Sequence, residues 1–202
     1  QSTLSVAPLR RSVRIESESL SEMESEWVSE SIGMRTCDWV ADNRNCLITG
    51  ATGTGKTFLG CALGHRSCVE GHRALYQYAP KFFRALQIAH ADGSLTQLLK
   101  KLAKVKLLVI DDLGAASVTT QQYRDLLEVL DDRQGQGATL ITSQLPVEEW
   151  HQIIGDATVA DAIMDRLAHN AYRLALEGES VRKLKARSKG KKPSDPKASR
   201  KA

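Results

Sequence analysis

Eight consecutive residues, Gly50-Ala51-Thr52-Gly53-Thr54-Gly55-Lys56-Thr57, satisfy the pattern G-x-x-x-x-G-K-[ST] without a mismatch. Each residue type has a physical reason to be there. Glycines let backbone N–H groups turn inward and approach an anion with no Cβ in the way. A helix starting at the end of the loop points its positive end at the same anion. Lys56 is placed to reach the β- and γ-phosphates of a nucleoside triphosphate, and the Thr57 hydroxyl to ligate Mg²⁺. Gly50 to Thr57 are therefore read as a cradle for ATP or ADP with magnesium.

A phosphate loop works with a carboxylate at the end of a neighbouring strand, and Leu107-Leu108-Val109-Ile110-Asp111-Asp112 offers two. The four apolar residues put Asp111 at the carboxyl end of a buried strand, where parallel sheets bind ligands. Asp111 is expected to hold Mg²⁺ through water, and Asp112 to orient and polarise the attacking water. Many ATPases of this broad group carry Glu at the second position. Asp is one methylene shorter, so hydrolysis is expected to be slow or to depend on a partner.

Ala138-Thr139-Leu140-Ile141-Thr142-Ser143-Gln144 reads as a strand ending in polar groups, expected to lie beside the Asp111 strand. Gln144, with Ser143 as the alternative, is the candidate to contact the γ-phosphate or the lytic water. The competing reading is a cap on the helix that opens at Pro146. Phosphoryl transfer also needs cationic stabilisation, often from a neighbouring subunit. Arg166, in Ala162-Ile163-Met164-Asp165-Arg166-Leu167, is the first candidate, against a structural contact or an exposed charge. Arg182, in Gly178-Glu179-Ser180-Val181-Arg182, is the second, acting in cis on the γ-phosphate, against simple membership of a basic tail.

The elements that must position these groups alternate. Asn45 to Thr49, Ala74 to Tyr78, Val105 to Ile110, Ala138 to Thr142 and Tyr172 to Leu176 read as strands. Helices are expected at about Phe58–Glu70, Pro80–Ala91, Ser94–Leu102, Thr119 or Thr120 to Asp132, Val147–Ile154 and Thr158–Ala168. Such alternation predicts an α/β fold, a parallel sheet sandwiched between helical layers. The core is expected over 36–181, after a lead-in at 1–35 of extended or partly helical chain, and before a basic, disordered tail at 182–202. With only the basic tail after the last strand, no separate C-terminal helical lid domain is expected.

Composition narrows the class further. The 202 residues suit one sizeable core, and no apolar run nears the ~20 residues of a membrane span. Four cysteines (Cys37, Cys46, Cys61, Cys68) without CxxC spacing read as reduced, mostly buried thiols of a cytoplasmic protein. The five histidines form no metal-ligand cluster, so no structural metal site is expected. From Arg182 onward there are ten Lys or Arg and one acid, while the preceding 181 residues carry a net charge of −5. The tail reads as an arm that attracts polyanions.

These residues together resemble the AAA+ ATPases of the DnaA/DnaC branch, and most closely the IstB family. The resemblance runs from about Thr36 to Lys183. It rests on Cys37-Asp38-Trp39-Val40, Gly50 to Thr57, Cys61-Ala62-Leu63-Gly64-His65 and Leu107 to Gly114, and most specifically on Thr139 to Trp150 and Ile154 to Leu167. It implies an ATPase that self-assembles on double-stranded DNA with ATP, captures a target site, and stimulates an IstA-like transposase, with Arg166 of one subunit completing the site of the next. It accounts for the missing lid. The resemblance further implies a small N-terminal helical domain in family members, and this chain is expected to start inside or after it. Two other functions remain open at this point: a DnaC-like replicative helicase loader, and a nucleotide-binding adaptor that never hydrolyses ATP.

Overall fold

A computed structural model describes residues 13–14, 34, 36–169, 171–178 and 180. The expectations for the rest of the lead-in and for the basic tail, Arg182 included, lie outside the described residues. Six strands are described: β1 Val13–Arg14, β2 Asn45–Gly50, β3 Ala74–Tyr78, β4 Leu107–Leu113, β5 Ala138–Ser143 and β6 Ala171–Leu176. They form one sheet in the order β1-β6-β2-β5-β4-β3. β2 to β6 run parallel, and β1 pairs antiparallel with β6 through Val13↔Leu176 and Arg14↔Ala175. The phosphate-loop strand is thus central, and β5 lies beside the Asp111 strand as expected.

The helices are α1 Asp38–Ala41, α2 Lys56–Val69, α3 Ala79–Ala91, α4 Leu95–Ala103, α5 Thr120–Arg133, α6 Trp150–Ile154 and α7 Ala157–Ala168. Alternate strand residues point to opposite faces of the sheet. One face sends Leu47, Leu108, Ile110 and Ile141 into a core with Phe83 and Leu86 of α3, Leu126 of α5, Trp150 of α6 and Ile163 of α7. The other sends Cys46, Ile48, Val109 and Leu140 against Trp39 of α1 and Leu63 of α2. Each fully buried Leu or Ile contributes roughly 1.5–3 kcal/mol, so these two cores, more than helix propensity, hold the layers. No separate helical domain accompanies the sheet among the described residues.

Local signals explain where the helices begin. Thr119 and Gln122 form a reciprocal capping box on α5, with the Gln122 N–H donating to Thr119 Oγ1 at 3.3 Å and the Thr119 N–H to Gln122 Oε1 at 2.9 Å. The Asp156 carboxylate accepts the Val159 N–H at 3.1 Å to start α7, and this bond holds its pKa below the ordinary range. At the far end of α5, Arg133 is buried with no carboxylate partner among the described residues. Its guanidinium donates instead to the carbonyls of Leu102, Val105 and Ala138 and to Thr139 Oγ1. Burial brings its pKa down to about 10. That fan of bonds fastens the end of α4 to the entries of β4 and β5.

Two features depart from the sequence reading. β1 adds a strand to the sheet, and a two-residue segment has too little periodicity to be read from a pattern. Of the cysteines, all free, Cys37 and Cys46 are buried but Cys61 and Cys68 are exposed, which corrects the expectation of mostly buried thiols. The latter two lie seven residues apart on α2, and Cys61 is near enough to the sheet that burial and then the Asp111 charge raise its pKa.

Candidate nucleotide-binding site

The loop Gly50–Thr57 leaves the carboxyl end of β2 and runs into α2, whose first residue is Lys56. Two glycines are required by close approach. Gly50 has φ +145° and packs so near the Leu176 carbonyl of β6 that a Cβ would collide with it. Gly53 has φ +86°, and a Cβ there would run into Ser180 Oγ. Lys56 is only 6% exposed, and its Nζ donates to the carbonyls of Gly50 at 2.7 Å and Ala51 at 2.9 Å. Burial lowers its pKa, opposed by the nearby charges of Asp112 and Asp111.

The carboxylates sit on a β-bulge. The β4–β5 register runs Ile110↔Ile141 and then Leu113↔Ser143, so Asp111 and Asp112 together oppose Thr142. Asp112 takes a left-handed backbone, φ +66°. The extra residue resets the alternation, so that Leu113 joins Leu108 and Ile110 in one core while Asp111 stays on the α2 face. Thr142 is the pin: its Oγ1 accepts the Asp112 N–H at 2.8 Å and donates to Asp111 Oδ1 at 2.6 Å. Asp111 Oδ2 accepts the Tyr76 hydroxyl at 2.6 Å. Burial, and then the hydrogen bond to Asp111, pushes the Tyr76 phenol up from its ordinary pKa, which keeps it a donor.

Gln144 connects the two halves of the site. Its Oε1 accepts from Thr52 Oγ1 at 2.6 Å, and its Nε2 donates to Asp112 Oδ1 at 3.0 Å. Ser143 is engaged elsewhere: its Oγ donates to the Leu113 carbonyl at 2.9 Å and accepts the Leu145 N–H at 3.2 Å. Of the two polar candidates, the structure brings Gln144 to the phosphate loop and uses Ser143 to shape the turn.

Arg166 is elsewhere. It lies in the last turn of α7, where its Nε donates to Asp131 of α5 and its Nη1 to the Ala162 carbonyl. The carbonyl of Arg166 accepts from Asn45, the first residue of β2. The phosphate loop leaves the other end of that strand, about 16 Å away at about 3.3 Å per residue. Arg166 therefore does not approach the phosphate loop of its own chain.

Comparison with known proteins fits this geometry. The family model described as IstB-like ATP-binding protein matches residues 5–190. The chain belongs to the IstB-like ATP-binding family.

Among its relatives, an insertion sequence ATP-binding protein of Sinorhizobium fredii, y4pL, is 48% identical over 150 residues, which cover 74% of this chain and 61% of that protein. The insertion sequence IS21 ATP-binding protein of Pseudomonas aeruginosa is 29% identical over 152 residues, covering 75% and 57%. This IstB-like chain thus spans about three-fifths of the length of such relatives. Among solved structures, the DnaC helicase loader superposes with TM-score 0.62 at 17% identity, covering 80% of this chain and 94% of that one. AMPPCP-bound DnaA from Aquifex aeolicus superposes with TM-score 0.62 at 17% identity, covering 88% and 55%. At such identities the likeness establishes the fold alone, the α/β fold that this chain shares with the DnaC and DnaA structures.

The donors of the IstB-like site suit magnesium. The Thr57 hydroxyl and the Asp111 carboxylate offer hard oxygen donors on neighbouring elements. No group of three or more His, Cys, Asp or Glu with metal-holding geometry occurs among the described residues. One or two protein oxygens would be enough for Mg²⁺, which usually keeps several waters and is bound through one or two carboxylates plus substrate phosphates. Among the described residues no helix is long and apolar enough to cross a membrane.

Three contributors were absent from the sequence reading. Tyr76 and Thr142 come from strand interiors, and only the sheet register reveals that they reach Asp111. Ser180 rests on the phosphate loop two residues before Arg182, a proximity no spacing rule signals. The loop's dependence on Gly53 gives a direct prediction. Gly53→Ala forces a side chain into the left-handed region at a cost of about 1–2 kcal/mol, besides the collision with Ser180. Affinity for a fluorescent ATP analogue is expected to drop at least about tenfold, and retention of wild-type affinity would exclude this loop as the phosphate site.

Proposed function

We propose that this chain binds Mg·ATP, hydrolyses it slowly, and acts as a transposition helper. With ATP it assembles on double-stranded DNA, captures a target site, and stimulates an IstA-like transposase. The observation that carries hydrolysis is the bonded series Thr52–Gln144–Asp112, which joins the phosphate loop to a carboxylate beside the clamped Asp111. A γ-phosphate on the loop and a water polarised by Asp112 would be sensed by one amide side chain. Asp111 and Thr57 would hold the magnesium, which would supply positive charge against the charge that develops on the phosphates.

Self-assembly is supported by the placement of Arg166. A guanidinium at the amino end of the sheet cannot serve its own site, and it would reach the carboxyl-end site of a second copy by exchanging its Asp131 contact for the nucleotide. Arg182 follows two residues after Ser180, which lies against Gly53, and this supports a role for Arg182 in cis on the γ-phosphate. The basic run from Arg182 onward adds a cationic arm suited to DNA phosphates.

Sizing the chain with duplex DNA, with and without Mg·ATP, tests the assembly. A larger species dependent on both is expected. Lys56→Ala and Arg166→Ala are each expected to be inactive alone, and mixing them is expected to restore part of the DNA-stimulated phosphate release, because some interfaces then pair an intact loop with an intact arginine. An arginine supplied in trans is worth about 10³–10⁵ in rate, so even partial restoration is measurable. A mixture as dead as its components would remove Arg166 from the neighbour's site.

A further inference from the structure

Tyr76 occupies the middle of β3, an edge strand of the sheet, and the residue is 45% exposed. Its Cα partner on β4 is Val109, so Asp111 is the diagonal neighbour two residues on, on the same face. That diagonal spans about 7–8 Å between Cα atoms, within the reach of a long aromatic side chain. The tyrosine hydroxyl bridges it, donating to Asp111 Oδ2 at 2.6 Å while Thr142 Oγ1 donates to Oδ1 at 2.6 Å. The carboxylate is 3% exposed and is gripped at both oxygens. Each carboxylate oxygen has two lone pairs, so one donor per oxygen leaves a lone pair on each for a magnesium ion or its water.

We infer that Tyr76 is a positioning residue for the magnesium site, fixing the orientation of Asp111 from the sheet edge. The inference rests on the Mg·ATP reading above. Its physical basis is that a metal-holding carboxylate is useful only in one orientation. Torsion about the Cα–Cβ and Cβ–Cγ bonds would otherwise spread its oxygens over several. Thr142 cannot do the work alone, because it holds one oxygen and leaves the carboxylate free to pivot about that contact. Phenylalanine at 76 would fill the same space on the β3 edge and lack only the donor.

Groups that orient a metal ligand typically cost 10–100-fold in metal affinity when removed. In the full chain, Tyr76→Phe is therefore expected to raise the Mg²⁺ concentration for half-maximal enhancement of fluorescent ATP-analogue binding by about tenfold or more. Affinity for the analogue in EDTA should stay at the wild-type value. In an Asp111→Asn background the same tyrosine substitution should shift the Mg²⁺ dependence little, because the group it acts through is already altered. A shift of equal size in both backgrounds, or a wild-type Mg²⁺ dependence in the single variant, overturns the inference. Loss of analogue binding in EDTA as well would mean that Tyr76 supports the fold and not the metal, and overturns it too. If the wild-type chain itself bound no analogue under any condition, the Mg·ATP reading would fall and this inference with it, a result distinct from the others because it precedes any substitution.

Discussion

Lys56→Ala is expected to lower ATP turnover by about 10²–10³-fold or more, the scale of losing one preorganised charge-stabilising group, and to weaken nucleotide binding as well. The lysine is buried, and its ammonium is held by the Gly50 and Ala51 carbonyls of its own loop. A phosphate oxygen is a stronger acceptor than a peptide carbonyl, since the bond is charge-assisted on both sides. A triphosphate entering the loop therefore recruits a cation whose desolvation the fold has already met. Alanine removes that cation and also takes a donor from the Gly50 carbonyl, at about 1–3 kcal/mol if that group is left without a partner, whereas the Ala51 carbonyl keeps the Thr54 N–H and hydroxyl. Lys56→Arg is not expected to rescue, because a planar guanidinium differs in both size and geometry from an ammonium in so enclosed a position. Phosphate release at saturating ATP, paired with analogue titration, measures both effects. Turnover within tenfold of wild type would mean that the loop does not act on the phosphates.

The frame that places Lys56 was readable from sequence because its signals are local. Leu107 to Ile110 is a continuous apolar run, as a strand buried on both faces must be, Ala138 to Thr142 joins apolar residues to β-branched threonines, and both fall inside observed strands. The Thr119–Gln122 box marks the start of α5 with four residues. The phosphate loop is itself a contiguous string. By contrast, the grip on Asp111 uses Tyr76 and Thr142, which lie 35 and 31 residues away. Neither has a local reason to be polar or aromatic beyond suiting a strand. Their meaning exists only after β3, β4 and β5 are set in register.

The bulge is the clearest case of this limit. Periodicity extrapolated through Asp111 and Asp112 would turn Leu113 to the α2 face, whereas the structure packs it with Leu108 and Ile110. One inserted residue reverses every later side chain of a strand. Arg166 shows a different limit. Its place on a helix could be read, but its pairing with Asp131 and its distance from the phosphate loop follow from how α5 and α7 pack, which no motif encodes. The exposed Cys61 and Cys68 belong with it, since residue type alone does not say which side of α2 meets the sheet.

Asp112→Asn is expected to separate binding from hydrolysis. Asparagine is among the few residues that adopt the left-handed backbone readily, so it suits φ +66° at this position. It keeps the N–H that donates to Thr142 and a side-chain oxygen to accept from Gln144. What it loses is the negative charge and the basic oxygen that would polarise water. The expected result is a fall in turnover of about 10²–10⁴-fold, the range of a lost general base, with nucleotide affinity within about threefold of wild type, under 1 kcal/mol. Asp112→Ala would be less informative, because it also abandons the Gln144 contact. The same geometry explains why an aspartate serves where a longer glutamate is common: the left-handed bulge favours the short side chain, and Gln144 spans from it to the phosphate loop. If Asp112→Asn turned over like wild type, the water would have to be oriented by another group, and Gln144 would become the first to replace. If it lost nucleotide as well, Asp112 would be a structural element of the bulge and not the base.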